Sequence, residues 1–313
     1  MIQIEPPVAF IGCDVGKASI VVFDSRSATT STIPNRPASL AQLAATLDEG
    51  CLVVCEATGG YEADLLGAVC AAGRAIHRAD ARKVKAFIRS LGTLGKSDAI
   101  DARALARYGY ERHDRLARWQ PREAERQQLQ TLVLARRDLV RQRVACANRL
   151  AAPGGMPVAE RLQRIRTVLD QEIAGLEADI ARLIDNSPLL ARAVATLRTL
   201  PGIGATTAAA LIALMPELGT LARRQAAALA GLAPHPNQSA NADRYRRTRG
   251  GRPEIKQTLF MAAMTAARHD PAMKTFYNRL LARGKKPLVA LTALMRKMIV
   301  IANAKLRDNL SNN

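Results

Sequence analysis

The spacing of short apolar, β-prone runs in the first third of the chain is the feature that most constrains its fold. Three such runs, at residues 8–13, 19–23 and 29–33, lie only a few residues apart. Strands this close in sequence pair as antiparallel hairpins, because a parallel connection needs a dozen or more residues. Two later runs, at residues 51–55 and 75–77, alternate with helical patterns, as βαβ units do. We therefore predict a mixed sheet in which an antiparallel meander joins parallel strands.

The remainder of the chain is predicted to be helical, so the fold class is α/β over residues 1–120 followed by all-α. Residues 121–187 are predicted to be helical, less regularly patterned over 123–150. From residue 162 to residue 183, apolar side chains recur every three or four positions, which is typical of a coiled coil. This heptad seam consists of Leu162, Ile165, Leu169, Ile173, Leu176, Ile180 and Leu183. It can pack as an antiparallel hairpin within one chain or against a second chain. Residues 188–313 hold five more helical patterns around a polar, turn-rich loop at residues 231–251.

Composition limits the class of partner. The chain has 313 residues, with 46 Lys plus Arg against 27 Asp plus Glu, a formal net charge of 46 − 27 = +19. Such an excess indicates a polyanion, either nucleic acid or an anionic membrane surface. Hydrophobic residues make up 48%, enough for a core, and 4% aromatics argue against reading single strands mainly by base stacking. No apolar run reaches the roughly 18 residues of a membrane span, and five cysteines without CxxC spacing predict reduced, cytoplasmic thiols.

Four acidic residues occupy positions where a catalytic metal site would need them. Asp14 and Glu56 each end a strand-like run, and neighbouring parallel strands bring such ends to one edge of a sheet. Asp98 and Asp101 are three residues apart at the start of a predicted helix, so they share a face. Converging carboxylates repel each other unless divalent cations neutralise them, and two Mg²⁺ ions about 4 Å apart suit phosphodiester chemistry. The ordinary alternatives are a helix N-terminal charge, an ion pair with a nearby Arg, and a solvent-facing strand end.

These residues stand in motifs that resemble the DEDD transposases and site-specific invertases of the Piv and MooV type, an insertion-sequence family. The order and spacing of the motifs across nearly the whole chain carry the resemblance. The matching residues are 10–17, 54–59 and 96–102, and in the C-terminal half 201–204, 229–234, Gln238-Ser239 and 261–297.

The resemblance implies an N-terminal RuvC-like nuclease domain of RNase H-type fold. Asp14, Glu56, Asp98 and Asp101 would then bind two Mg²⁺ ions, or Mn²⁺ in their place. A coiled coil over residues 121–187 and a C-terminal transposase domain over residues 188–313 would follow. The resemblance further implies an enzyme that cuts and rejoins double-stranded DNA at the element's ends and at a target. A structured guide RNA, the bridge RNA, would select that DNA. We expect a homodimer or homotetramer in the bacterial cytoplasm, associated with the nucleoid, and no membrane partner.

Ser239 lies in the polar loop beside a cluster of basic residues. From the residues alone, a capping or bridging serine in a solvated turn is the more ordinary assignment. The resemblance implies instead that Ser239 is the nucleophile that forms a covalent phosphoserine with DNA, although Ala240 stands where the family usually has Gly. Six of the 13 residues from 244 to 256 are basic, a density that suits phosphate contacts. These predicted contacts are Arg244, Arg246, Arg247, Arg249, Arg252 and Lys256.

Two smaller features complete the predicted nucleic-acid surface. Gly202 and Gly204 resemble the turn of a helix-hairpin-helix element, in which backbone N–H groups approach a phosphate. The alternative is an ordinary tight turn between helices. Lys96 and the basic run at residues 82–89 precede the two aspartates, and they either line the nucleic-acid path or form a solvated helix face.

Three other functions remain open from the sequence. A RuvC-like, structure-selective endonuclease would use the same carboxylates with water as the nucleophile. An actin-like or sugar-kinase-like ATPase shares the β-meander and an early Asp-x-Gly, but the second acidic pair and the basic loop argue against it. A non-enzymatic architectural protein would need only the glycine turn and the basic loop.

Overall fold

The structure is a computed structural model in which two compact units divide the chain, Met1–Pro121 and Arg122–Asn313. It describes residues 7–92, 95, 97–121, 123–154, 156–235, 238–239, 242–243 and 247–311. The first unit is mixed α/β, and the second is helical apart from two short strands. The middle and C-terminal segments fall together in the second unit, so the division into three domains stays a prediction.

The sheet of the first unit combines antiparallel and parallel strands. Its strands are β1 (Ala9–Val15), β2 (Ser19–Asp24), β3 (Thr29–Pro34), β4 (Cys51–Glu56) and β5 (Ala75–Ala79). Their order in the sheet is β3-β2-β1-β4-β5. The β1–β2 and β2–β3 pairs are antiparallel, whereas β1–β4 and β4–β5 are parallel. The predicted meander joined to parallel strands is therefore confirmed.

Helices cover both faces of this sheet. On one face, α1 (Pro37–Ala45) and α2 (Ala63–Ala71) pack against alternate residues of β1 and β4, including Cys13 and Cys55. On the other face, α3 (Ala81–Ser90) and α4 (Asp98–Arg112) pack against the intervening residues, including Phe10 and Val54. Because side chains alternate along a strand, the two faces carry two separate apolar clusters.

A glycine lets α4 approach the central strand closely. A Cβ built on Gly12 of β1 would lie 1.8 Å from the backbone oxygen of Ala102 in α4 and 2.6 Å from the backbone nitrogen of Ala106. Real Cβ atoms do not come this close to backbone, so only Gly fits at this crossing. Gly12 thereby sets how near the beginning of α4 lies to the end of β1.

The second unit begins with a long helical hairpin. The helices α5 (Ala124–Ala151) and α6 (Ala159–Asp185) pack antiparallel, joined side by side by the ion pairs Arg136–Glu177 and Arg143–Asp170. Of the two arrangements open to the heptad seam, the structure shows the hairpin within one chain.

The C-terminal helices form the largest apolar core of the chain. They are α7 (Pro188–Arg198), α8 (Ala205–Leu214), α9 (Arg223–Leu229), α10 (Pro253–His269), α11 (Pro271–Ala282) and α12 (Pro287–Ser311). By length and composition, α12 could cross a membrane over Pro287–Asn309, but 44% of that window is buried and Leu294 and Met298 are fully buried in the core. Two strands, β6 (Gln238–Ser239) and β7 (Ala242–Asp243), pair antiparallel, with Ser239 opposite Ala242.

Candidate active site

Two of the predicted acidic residues stand side by side at the carboxyl ends of parallel strands. Cys13 of β1 pairs in register with Cys55 of β4, and Asp14 and Glu56 are the next residue of each strand. Cys13 and Cys55 are fully buried on the α1 and α2 face, so Asp14 and Glu56 lie on the face that α4 covers. Both acidic residues are half-buried.

The first turn of α4 brings the other two acidic residues to the same place. The hydroxyl of Ser97 caps this helix by accepting a hydrogen bond of 3.3 Å from the backbone N–H of Ile100. Asp98 and Asp101 lie in that first turn. All four acidic residues line one cavity of about 540 Å³. The structure thus brings the predicted set together at one edge of the sheet.

The chemistry of this cavity suits a hard divalent cation, because Mg²⁺ prefers carboxylate oxygens completed by waters and phosphate oxygens. Within the described residues, however, no group of three or more His, Cys, Asp and Glu is arranged to hold a metal ion. The carboxylate oxygens are thus the right type of ligand for a divalent cation, but the four side chains would have to move closer together to bind it.

Two cations share the cavity with the four acids. Lys85 and Arg89 lie one helical turn apart on α3 and line the cavity together with Val84 and Ile88. Both are exposed, and in the part of the chain that the structure describes neither forms an ion pair. Of the two interpretations of the basic run, a path for nucleic acid is the one that this placement supports for these two residues.

The predicted serine and its basic neighbours belong to the second unit. The structure describes the backbone of Ser239 in β6, whereas Lys96, Arg244 and Arg246 lie outside the described residues. Arg247 and Arg249 are exposed, and Lys256 is half-buried and donates a hydrogen bond of 3.2 Å to the hydroxyl of Thr248.

Arg252 is engaged within the fold. Its guanidinium donates to both carboxylate oxygens of Glu217, at 2.8 and 2.6 Å, and to the carbonyl of Leu214 at 2.9 Å. The hydrogen bonds that Arg252 donates to Glu217 raise the pKa of Arg252 above its ordinary value. A guanidinium bound in this way keeps two N–H donors free of these contacts, and its contact with nucleic acid stays a prediction.

The glycine turn also has a packing role. Gly202 has a φ of +78°, and a Cβ there would lie 2.2 Å from the backbone oxygen of Ala262 in α10. Its missing side chain is therefore explained by packing against a helix, as in an ordinary tight turn. Gly204 precedes α8 as its N-terminal cap and has open space around it. The approach of Gly202 and Gly204 to a phosphate stays a prediction.

Comparison with known proteins identifies the family. Residues 11–152 match the IS110-type DEDD family described as transposase, and residues 194–278 match the family described as transposase IS116/IS110/IS902. The chain is 30% identical over 261 residues to the pilin gene-inverting proteins of Moraxella lacunata and Moraxella bovis. The aligned region covers 82% of this chain and 80% of each relative. The chain belongs to the IS110 family of transposases. It is also 35% identical over 145 residues to an uncharacterized 43.6 kDa protein of insertion element IS110 from Streptomyces coelicolor, covering 45% of this chain and 35% of that protein.

Membership makes this IS110-family transposase an enzyme that acts on DNA, in contrast to the ATPase and the non-enzymatic binder that the sequence left open. The first matched region contains all four acidic residues of the cavity, and the second contains Gly202, Ser239 and Lys256.

Sequence reasoning missed one buried acidic residue in this transposase, close in sequence to Glu56. Glu62, only 1% exposed, follows the loop that connects Glu56 to α2. One of its oxygens accepts hydrogen bonds from the backbone N–H groups of Thr58 and Gly60, and the other pairs with Arg78 of β5 at 2.5 Å. The signal available in the sequence was an acidic residue two positions after a Gly-Gly pair, with an Arg on the neighbouring strand.

Proposed function

We propose that this transposase cuts and rejoins double-stranded DNA with Ser239 as the nucleophile. In this proposal Asp14, Glu56, Asp98 and Asp101 form the catalytic site and bind Mg²⁺. The observation that carries the proposal is the single cavity lined by all four acidic residues, from two strand ends and one helix start. A five-stranded mixed sheet with this meander is compatible with an RNase H-like fold, in which we place the first unit.

In this proposal the four carboxylates hold divalent ions, which when bound stabilise the attacking and leaving oxygens of a phosphodiester. Lys85 and Arg89 add positive charge at the same cavity and hold the phosphates beside the reacting one. Removing either cation leaves the carboxylate set intact, so the two roles are separable by mutation.

The proposed covalent step is a transesterification at phosphorus. A bond forms between Ser239 Oγ and the phosphorus as the bond from phosphorus to one sugar oxygen breaks, and the serine proton ends on that sugar oxygen as a free hydroxyl. The reverse reaction with a different strand end rejoins DNA without an external energy source, because one phosphodiester replaces another. A serine hydroxyl must be activated for this attack, since its free pKa is high.

The partners follow from the same proposal. We propose that a structured bridge RNA selects the DNA, that the active form is a homodimer or homotetramer, and that the enzyme works in the cytoplasm at the nucleoid. The +19 net charge supports nucleic-acid partners of either kind.

The test uses the full-length protein, Mg²⁺, and labelled DNA and transcribed RNA from the natural flanks of the gene. We expect wild type to form a protein–DNA adduct that survives denaturing electrophoresis. Ser239→Ala and Asp14→Asn should each abolish it. Ser27→Ala and Asp64→Asn are matched controls, because each removes an exposed side chain of the same type outside the cavity, and both should keep the adduct.

A second function is distinguished by the same assay. A structure-selective endonuclease that uses water needs the carboxylates and not the serine. DNA cleavage that persists in Ser239→Ala, is lost in Asp14→Asn, and never yields an adduct in wild type would establish that function in place of the one proposed.

A further inference from the structure

A groove in the second unit combines three cations with an apolar lining. Its volume is about 450 Å³, within the range of ligand pockets. The cations are Arg247, Lys256 of α10 and Arg296 of α12. Its apolar walls include Pro234, Leu232, Phe260, Leu288, Val289 and Met295.

Among the residues that the structure describes, the cations of the groove have no acidic partner. None of its described lining residues is acidic, and in the described part of the chain none of the three cations forms an ion pair. Lys256 makes its one described side-chain hydrogen bond to Thr248. By contrast, the neighbouring Arg252 pairs with Glu217 and does not line the groove. This arrangement attracts an anion rather than stabilising the fold.

The apolar walls restrict which anion fits. Leu288 is 64% exposed at the beginning of α12, and Phe260 is half-buried on α10. A bare phosphate would satisfy the cations and leave these side chains in water. A nucleotide satisfies both, because its phosphate meets the cations while its sugar and base cover the apolar walls.

The groove adjoins the part of the chain that carries the serine. Pro234 and Thr248, both in its wall, form an antiparallel bridge, and the backbone N–H of His235 donates to the carbonyl of Arg247 at 3.1 Å. The strands β6 and β7, with Ser239, lie between these residues in sequence. At about 3.3 Å per residue, the five residues from Pro234 to Ser239 span at most about 17 Å, which is about five nucleotides at the roughly 3.4 Å rise of a strand in duplex DNA.

We infer that this groove holds one nucleotide of the DNA strand close to the phosphodiester that Ser239 attacks. The inference rests on the proposed function, because it names the part of the substrate that the second unit grips. Arg296 contacts the phosphate, and Leu288 and Phe260 contact the sugar and base.

Fluorescence anisotropy with a labelled eight-nucleotide single strand of thymidylate, in EDTA so that no cleavage occurs, tests this inference. We expect Arg296→Gln to weaken binding about tenfold and to reduce the slope of log K against log salt by about 1. We expect Leu288→Ser to weaken binding about threefold with an unchanged salt slope, because it removes an apolar contact. Lys274→Gln is the matched control, since it removes one exposed charge on α11 outside the groove, and it should change the affinity less than twofold.

Leu288 is too exposed for its replacement to unfold the protein. Leu288→Ser therefore still tests the inference if Arg296→Gln lowers the unfolding midpoint. Binding by Arg296→Gln and Leu288→Ser equal to that of Lys274→Gln would overturn the inference, as would a wild type that binds no oligonucleotide. Groove variants that bind normally while wild type still forms the Ser239 adduct would refute the groove alone. Weakened groove variants with no adduct in wild type would refute the proposed nucleophile instead.

Discussion

Glu62 is the acidic residue on which the loop after Glu56 depends. It is buried, and it accepts hydrogen bonds from the backbone of Thr58 and Gly60 while it pairs with Arg78. Burial raises the pKa of this carboxyl, but backbone N–H groups and Arg78 together outweigh burial and lower the pKa to about 2. Glu62 therefore stays ionised and holds the loop in place beside the candidate site.

Replacing this carboxylate tests its role. We expect Glu62→Gln to reduce the free energy of unfolding by about 3 kcal/mol at pH 7, because Arg78 loses its partner. The folded pKa lies below the ordinary value of 4.5, so this contribution is present above about pH 4.5 and is lost as the pH falls towards 2. Urea unfolding at pH 7 and at pH 3 should thus show a smaller difference between wild type and variant at the lower pH. Glu49→Gln, at a side chain 93% exposed and 3.9 Å from Arg74, is the control and should cost less than about 0.5 kcal/mol; an equal loss in both variants would contradict the assignment.

At the scale of single residues, the sequence predicted where the acidic residues lie better than it predicted which residues contact each other. Strand ends and a helix start were enough to bring Asp14, Glu56, Asp98 and Asp101 to one cavity. Arg252 and Lys256 looked equivalent in one basic run, yet only Arg252 is held by Glu217, 35 residues away in sequence. Local pattern cannot reveal so distant a partner, and for the same reason Glu62 and Arg296 were missed.

The packing of α4 on β1 is the element-scale feature that positions the carboxylates. Because a Cβ at Gly12 would overlap the backbone of Ala102, we expect Gly12→Ala to push α4 away from the sheet. The variant should lose about 3 kcal/mol of stability and, where it stays folded, most of its adduct formation. Gly67→Ala is the control, because Gly67 lies inside α2 with open space around it, and it should be more stable than wild type by about 1 kcal/mol. A Gly12→Ala protein as stable and active as wild type would show that the crossing is not tight.

The helical hairpin offers a comparison between two positions of one heptad seam. Leu169 is 7% exposed and packs with Cys146 and Leu162, whereas Ile165, which the sequence pattern treats as equivalent, is 49% exposed. We expect Leu169→Ala to cost about 2 kcal/mol or more and Ile165→Ala about 0.5 kcal/mol or less, measured by chemical denaturation. Equal losses of unfolding free energy in the two variants, with a denaturation midpoint that does not depend on protein concentration, would contradict this packing.

Element boundaries were the part of the fold most accessible to prediction. The proline-led starts of α10, α11 and α12 and the five strand runs all lie where the pattern indicated, because proline fits the first helical turn and short gaps force hairpins. The seam predicted two possible arrangements, and the choice between them depends on interhelical pairs such as Arg136–Glu177, which periodicity does not show.

At the scale of the whole molecule, the +19 net charge predicts how binding depends on salt. Each phosphate that the protein neutralises releases counterions, so a contact with six to ten phosphates gives a slope of about −5 to −9 in log K against log salt. We expect duplex DNA from the natural flanks of the gene to lose about a thousandfold in affinity or more between 50 and 200 mM salt. The Lys85→Gln Arg89→Gln double variant should lower the magnitude of that slope by about 2, because two phosphate contacts are removed. Lys83→Gln, outside the cavity on the same helix, should change the slope little.

A nucleic acid of the same sequence with a neutral peptide backbone separates the contribution of charge from that of shape. Binding as tight and as salt-sensitive as that of DNA would show that the basic excess is not what holds the substrate.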